Sequence, residues 1–219
     1  MFRLLTRLLG MALAVALAWV LLVTIAPGSW VASWAPCPRN LAWVPAWLPR
    51  ASPLEALSID LPGGSAKLCY GRPSLRGRAM LGGVLPYGDL WRLGANEPTT
   101  LHVDRVVHVG DLVLAAGSYS LYAYPGSREW DIVVNRSTRQ WGLESEYTDE
   151  VRGQEVGRIR VPAGRMETPV EQLTFRAVPA VTGAVDLIFE WQDTTWRLSI
   201  DTSLHGEEFE GGPPPTPES

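Results

Sequence analysis

Lysine is all but missing from this 219-residue chain. Lys67 is the only one, so arginine carries almost all the positive charge and no single arginine stands out by its type. Positive charge is also outweighed: 19 Lys and Arg face 23 Asp and Glu, for a formal net charge of −4. That balance opposes binding to a polyanion, and no nucleic-acid partner is expected. Cysteine occurs twice, as Cys37 and Cys69, outside any zinc-ligand spacing. The pair could close a disulfide in an oxidising compartment; alternatively, Cys69 packs as a small apolar thiol and Cys37 stays unpaired. Neither a G-x-S-x-G elbow nor an H-E-x-x-H pair occurs, which removes the nucleophile-elbow and zincin readings. Beyond Leu57 no segment shows a long apolar stripe at helical spacing, so helix is limited to a turn or two near residues 87–93 and at residues 52–57.

What the chain does have is asymmetric. Residues 1–7 form a short basic stub, and Leu8 to Ala26 is an uninterrupted apolar run. As a helix it would reach roughly 28 Å, close to the hydrocarbon thickness of a bilayer. Arg3 and Arg7 precede it and no basic residue returns until Arg39, which orients the N-terminus to the cytoplasm and the rest outside. The run reads as an uncleaved signal anchor; the alternative is a cleaved secretory signal, for which Val31, Ala32 and Ser33 make a poor cleavage site. The expected topology is therefore a single membrane crossing with an extracytoplasmic C-terminal domain. Residues 27–57 are rich in proline and tryptophan and read as a juxtamembrane linker. Its indoles could rest at the headgroup level or cover a sheet edge.

From Ser58 the pattern turns to period two. Leu173, Phe175 and Ala177 alternate with polar residues, as do Leu187, Phe189 and Trp191, and Trp196, Leu198 and Ile200. Similar alternation covers residues 66–70, 99–109, 119–124, 130–135 and 157–161, with turn signals at Gly110-Asp111, Ala116-Gly117, Pro125-Gly126 and Asp193-Thr194. This predicts an all-β fold, an antiparallel sandwich or barrel-like domain over residues 58–204. The acidic, proline-rich residues 205–219 cannot bury a core and are read as a disordered tail.

Between two of these β regions lies the chemically densest stretch, Gly71 to Leu101. Within it Arg78, Arg92, Asn96 and Glu97 could converge on an anion or a sugar hydroxyl, with Trp91 as a stacking face. The plainer reading is a buried Arg–Glu pair and an Asn in a tight turn, tying a loop across one end of the sandwich. His102, Asp104 and His108 share strand parity if residues 99–109 are continuous, but their spacing spreads ligands too far for a compact centre. They are read as a solvated outer face, and no metal or cofactor is expected. Glu144 and Glu146 fall in a loop that reads as exposed, so a carboxylate-dependent glycan hydrolase would need Glu97 beside a distant second carboxylate. Tyr119, Tyr122, Tyr124, Trp130 and Trp141 could form a glycan platform, although strand aromatics more often pack, leaving Tyr122 and Tyr124 as surface candidates.

The residues Gly77-Arg78, Pro86-Tyr87-Gly88, Trp91-Arg92 and Gly94-Ala95-Asn96-Glu97 resemble the most distinctive block of the bacterial domain of unknown function family 2911. Ala116-Gly117, Tyr119-Ser120-Leu121, Pro125-Gly126, Glu129-Trp130, Gln140-Trp141-Gly142 and Trp191 follow in the same order, so the resemblance spans roughly residues 68–200. It implies an exported bacterial domain, which with the anchor makes the expected location a bacterial inner membrane, crossed once, with the C-terminal domain in the periplasm; it carries over no catalytic residues. Three positions depart from the usual block: Leu93 stands where threonine is common, Pro98 where alanine is, and Ala115 where proline is. The overall expectation is a membrane-anchored binding or structural module of the cell envelope, with an envelope glycan or a small anion as possible ligand, against the alternative of a glycan hydrolase using Glu97.

Overall fold

In the computed structural model the described residues are 50–202, together with Gly10, Met11, Val15, Pro36 and Cys37. The proposed span Leu8 to Ala26, nearly all of the linker before Arg50, and the tail from 203 onward lie outside them. Among the described residues no helix is long and apolar enough to cross a membrane.

Among the described residues ten strands build two antiparallel sheets: β1 (Leu54–Leu61), β2 (Gly64–Gly71), β3 (Thr99–Val103), β4 (Val107–Val109), β5 (Leu112–Leu114), β6 (Gly117–Tyr124), β7 (Glu129–Asn135), β8 (Glu155–Pro162), β9 (Gly164–Pro179) and β10 (Val185–Asp201). The six-stranded sheet has the order β1-β2-β3-β6-β7-β8, and the four-stranded sheet β5-β4-β10-β9. This is a sandwich, as the alternation predicts. Within residues 50–202 helix is confined to a 3-10 turn at Glu144–Glu146 and one short α-helix, α1 (Asp149–Arg152), capped by the Thr148 side chain, which accepts from the Val151 amide. The turns foreseen at residues 87–93 and 52–57 are not helical: the first is irregular loop and the second runs into β1.

Between the sheets the inward parity positions meet as an aromatic core. Trp130, Trp191, Phe189, Leu173 and Ile200 are fully buried. Phe189 stacks on Trp196 with centroids 5.0 Å apart, Trp91 stacks on Trp191 at 5.5 Å, and Tyr70 meets Phe175 edge-on at 4.8 Å. Such pairs contribute about 0.5–1.5 kcal/mol each beyond their area burial.

Three local departures shape the rest. The chain between residues 99 and 109 is not one strand: residues 104–106 form a turn that passes β3 to one sheet and β4 to the other. His102 and His108 therefore belong to different sheets. The turn signal Asp193-Thr194 does not end a strand. β10 runs through it, absorbing the misfit as register shifts between Glu190 and Thr194 and a left-handed Gln192 at φ 55°. Finally, β1 pairs with β2 along its whole length, from Leu54↔Gly71 to Leu61↔Gly64, so the sheet begins ahead of the Ser58 boundary.

Candidate functional site

The Gly71 to Leu101 stretch lies across one end of the sandwich as a sequence of tight turns. Loop residues Met80 and Leu81 donate their amides to the Gln192 side chain at 2.8 and 3.1 Å, Gly88 donates to Pro125 O, and Trp91 exchanges two 2.8 Å backbone bonds with Ala123. A left-handed Gln192 thus aims its amide at this loop. The loop is pinned to both sheets, which gives a preformed surface rather than a floppy one.

From Trp91 onward the chain enters the core. Trp91 is 3% exposed and its indole N–H donates to Gly94 O at 3.0 Å, so the face proposed for stacking a ligand is occupied by Trp191. Leu93 is fully buried in a left-handed conformation, φ 55°, uncommon for a residue with a branched side chain. Its carbonyl accepts the Thr99 hydroxyl at 2.8 Å, and its side chain belongs to the apolar cluster. A hydroxyl at this position would face hydrocarbon, which accounts physically for leucine here.

Glu97 is 4% exposed and both of its oxygens accept from Arg50 Nη1, at 2.8 and 2.7 Å. Asn96, left-handed at φ 67° and half-buried, donates to Ser52 O at 3.2 Å. Arg72 N adds a 2.8 Å bond to Pro53 O, and Arg76 donates to Ala51 O. Asn96 and Glu97 therefore fasten residues 50–53 to the domain. Cys37 and Cys69 form a disulfide with Cα atoms 5.6 Å apart, a second tie from the same N-terminal side. Gly71 and Gly142 permit the convergence: a Cβ on Gly71 would sit 2.0 Å from Ala95 O, and one on Gly142 would sit 2.2 Å from Asn96 O.

The predicted cluster divides. Arg78 is exposed and donates to Leu75 O and Ser74 O in its own turn. Arg92 turns away from Glu97 to Gly142 O at 3.1 Å and Glu144 at 3.2 Å. The Arg–Glu pair is thus real, but its arginine is Arg50. Arg92, Glu144 and Leu143, with loop residues 84–86 and 89–91, line a cleft of ≈ 310 Å³. That volume lies at the lower end of small-ligand sites. A second hollow, ≈ 420 Å³, lies along the β9–β10 arm beside the ion pair of exposed Arg165 with half-buried Asp193.

A buried polar row on the outer face of the six-stranded sheet replaces the solvated face expected there. His102 is 5% exposed, lies opposite Lys67 and Ser118 in register, and contacts Thr100 Oγ1 at 3.1 Å and Ser118 Oγ at 2.8 Å. Burial, with the Lys67 charge adding to it, pushes its pKa down to about 4, so the ring is neutral at pH 7. Asp104 instead accepts from the Ser65 amide and hydroxyl. No group of three or more His, Cys, Asp or Glu side chains is placed to hold a metal ion among the described residues.

Tyr122, expected at the surface, is fully buried under the 136–152 segment. Its hydroxyl accepts from Gln140 at 2.9 Å, its ring meets Tyr147 edge-on, and burial pushes its pKa up to about 12. Tyr124 is half-buried beneath Arg158. Sequence reasoning missed Arg50 and Asp89. Arg50 is the last cation before β1, and no local periodicity marks its pairing 47 positions away; Asp89 is the only carboxylate between Asp60 and Glu97, in a loop with no periodicity.

Comparison with known proteins agrees with the block read from the sequence. No curated protein and no solved structure matches the chain. The family described as "Protein of unknown function (DUF2911)" matches residues 52–200, from the segment held by Asn96 to the end of β10, and the chain belongs to that family.

Proposed function

We propose that this chain is a membrane-anchored, extracytoplasmic binding module of the cell envelope whose ligand, a glycan unit or a small anion, occupies the cleft at Arg92. The observation that carries this reading is the state of Glu97. A glycosidase acid must reach a substrate from an open cleft, about 5–9 Å from a second carboxylate. Glu97 is instead sealed against Arg50, so the central block splits into a structural pin and a separate accessible cleft. The cleft takes the binding role because it is held by the pinned loop and lined by both charged and apolar groups.

The apolar run Leu8 to Ala26 and its basic flank support the anchoring, and the Cys37–Cys69 disulfide supports an oxidising compartment outside the cytoplasm. The test is a screen of the full-length chain in detergent micelles against envelope glycan fragments and small anions. A fragment starting at residue 51 would cut both N-terminal ties and is unsuitable. Saturable binding that is weakened by Arg92→Ala supports the reading; no saturable ligand, or binding indifferent to Arg92, contradicts it. Alkaline phosphatase fused after Thr202 is expected to be active, and an inactive fusion would reverse the topology.

A further inference from the structure

We infer that the cleft selects a neutral polyhydroxylated ring, a single sugar unit, over a free anion; this rests on the binding reading above and narrows its ligand. Three charged side chains line the cleft: Arg92, Asp89 and Glu144. Their sum is negative, so an anion entering it meets more repulsion than attraction. The Asp89 carboxylate is exposed and makes no hydrogen bond within the described residues, while the Glu144 carboxylate accepts only from Arg92 among them. Both are acceptor-rich groups open to a donor.

Arg92 in turn uses only Nη1 on Gly142 O and Glu144, and its Nε is buried without a protein partner among the described residues. A wall that offers carboxylate acceptors beside a guanidinium donor fits vicinal hydroxyls, each of which donates and accepts. An anion offers acceptors alone.

The remaining lining is apolar, with Val84, Leu85 and Leu143 suited to the C–H face of a sugar ring. Val84 is 56% exposed, Leu143 45%, and Tyr87, in the same loop, 48%. The Tyr87 ring lies over Gly82, where a Cβ would come within 2.7 Å of it, so the glycine leaves room for an exposed aromatic beside the cleft. Exposed apolar side chains concentrated beside a charged cleft mark a recognition surface rather than a random scatter.

The experiment is isothermal titration of the full-length chain in micelles with three probes: N-acetylglucosamine, its 6-phosphate, and glucosamine as the cationic counterpart. Each is repeated with Asp89→Asn and Glu144→Gln, exposed positions whose loss should leave the melting temperature unchanged. Expected is binding of N-acetylglucosamine at least tenfold tighter than of the phosphate, weakened about 10- to 100-fold by Asp89→Asn, as for loss of one charge-assisted hydrogen bond. Preference for the phosphate, or for the amine over the neutral sugar, overturns the inference but leaves a binding module standing. Binding unaffected by either substitution also overturns it, because the site is then elsewhere. Absence of binding by all three probes overturns this inference alone when the wider screen finds another ligand, and both readings when it does not.

Discussion

Arg50→Ala should be among the most damaging single substitutions outside the aromatic core. The change removes a guanidinium that is 11% exposed and leaves behind a carboxylate that is 5% exposed, with two charge-assisted contacts of 2.8 and 2.7 Å lost together. Removing one partner of a buried pair costs about 3–5 kcal/mol, because the remaining charge stays desolvated after losing these contacts. The Arg50 Nη2 atom is already buried without a partner among the described residues, so the pair is imperfectly solvated and the lower end of that range is the better expectation. For a chain of this size about 3 kcal/mol corresponds to a fall of roughly 6–12 °C in melting temperature. Tryptophan fluorescence can follow the melt in micelles, since Trp91, Trp130, Trp191 and Trp196 all report on the core. The double variant Arg50→Met/Glu97→Leu removes both charges and should recover most of the loss, giving a coupling of about 2 kcal/mol or more. A single-variant loss within about 0.5 kcal/mol, or simple additivity in the cycle, would refute the pin.

The remaining predictions concern the sheet face and the N-terminal tie. His102 has a folded pKa depressed to about 4 against an ordinary value near 6.5, so its contribution is fully present above pH 6.5 and declines as the pH falls toward 4. Over that window the loss should approach about 3 kcal/mol, and His102→Gln should flatten the dependence in denaturant melts taken from pH 7 to pH 4. An unchanged pH profile in the variant would show that another group titrates there. Cys37→Ser opens a link between positions separated by 32 residues and should destabilise the chain by about 3.5–4 kcal/mol on the chain-entropy account, read as a lower denaturant midpoint that reducing agent reproduces in the wild type.

Strand existence was legible where one face is buried, since Leu173, Phe175, Leu187, Phe189, Trp196 and Leu198 announce their period directly. Where long-range context decides, the local signal misled. Leu54 to Leu57 follow a proline-rich stretch and read as linker, yet β2 recruits them into an edge strand. Residues 99–109 read as one strand because alternation continues through Asp104 and Arg105, and only the Ser65–Asp104 hydrogen bonds and the pairing of β4 with β10 reveal the crossing between sheets. Asp193-Thr194 carries turn residues, but the cross-strand partners of β9 outweigh a local preference for reversal.

The candidate site shows the same limit. That Glu97 pairs with an arginine follows from burying a carboxylate; which arginine does so depends on a contact 47 positions away. Arg92, nearer in sequence, is drawn to Gly142 by a close approach that only the folded chain brings about. The family block Gly94 to Glu97 thus reads as chemistry in one dimension and as a fastening in three.

The most direct test of this division is a paired measurement of melting temperature and sugar affinity for Glu97→Gln and Asp89→Asn in the full-length chain, with binding measured well below either melt. The account predicts that Glu97→Gln lowers the melting temperature by several degrees and leaves the Kd within about twofold, whereas Asp89→Asn leaves melting unchanged and weakens binding at least tenfold. A Glu97→Gln chain that melts as the wild type and no longer binds would contradict it.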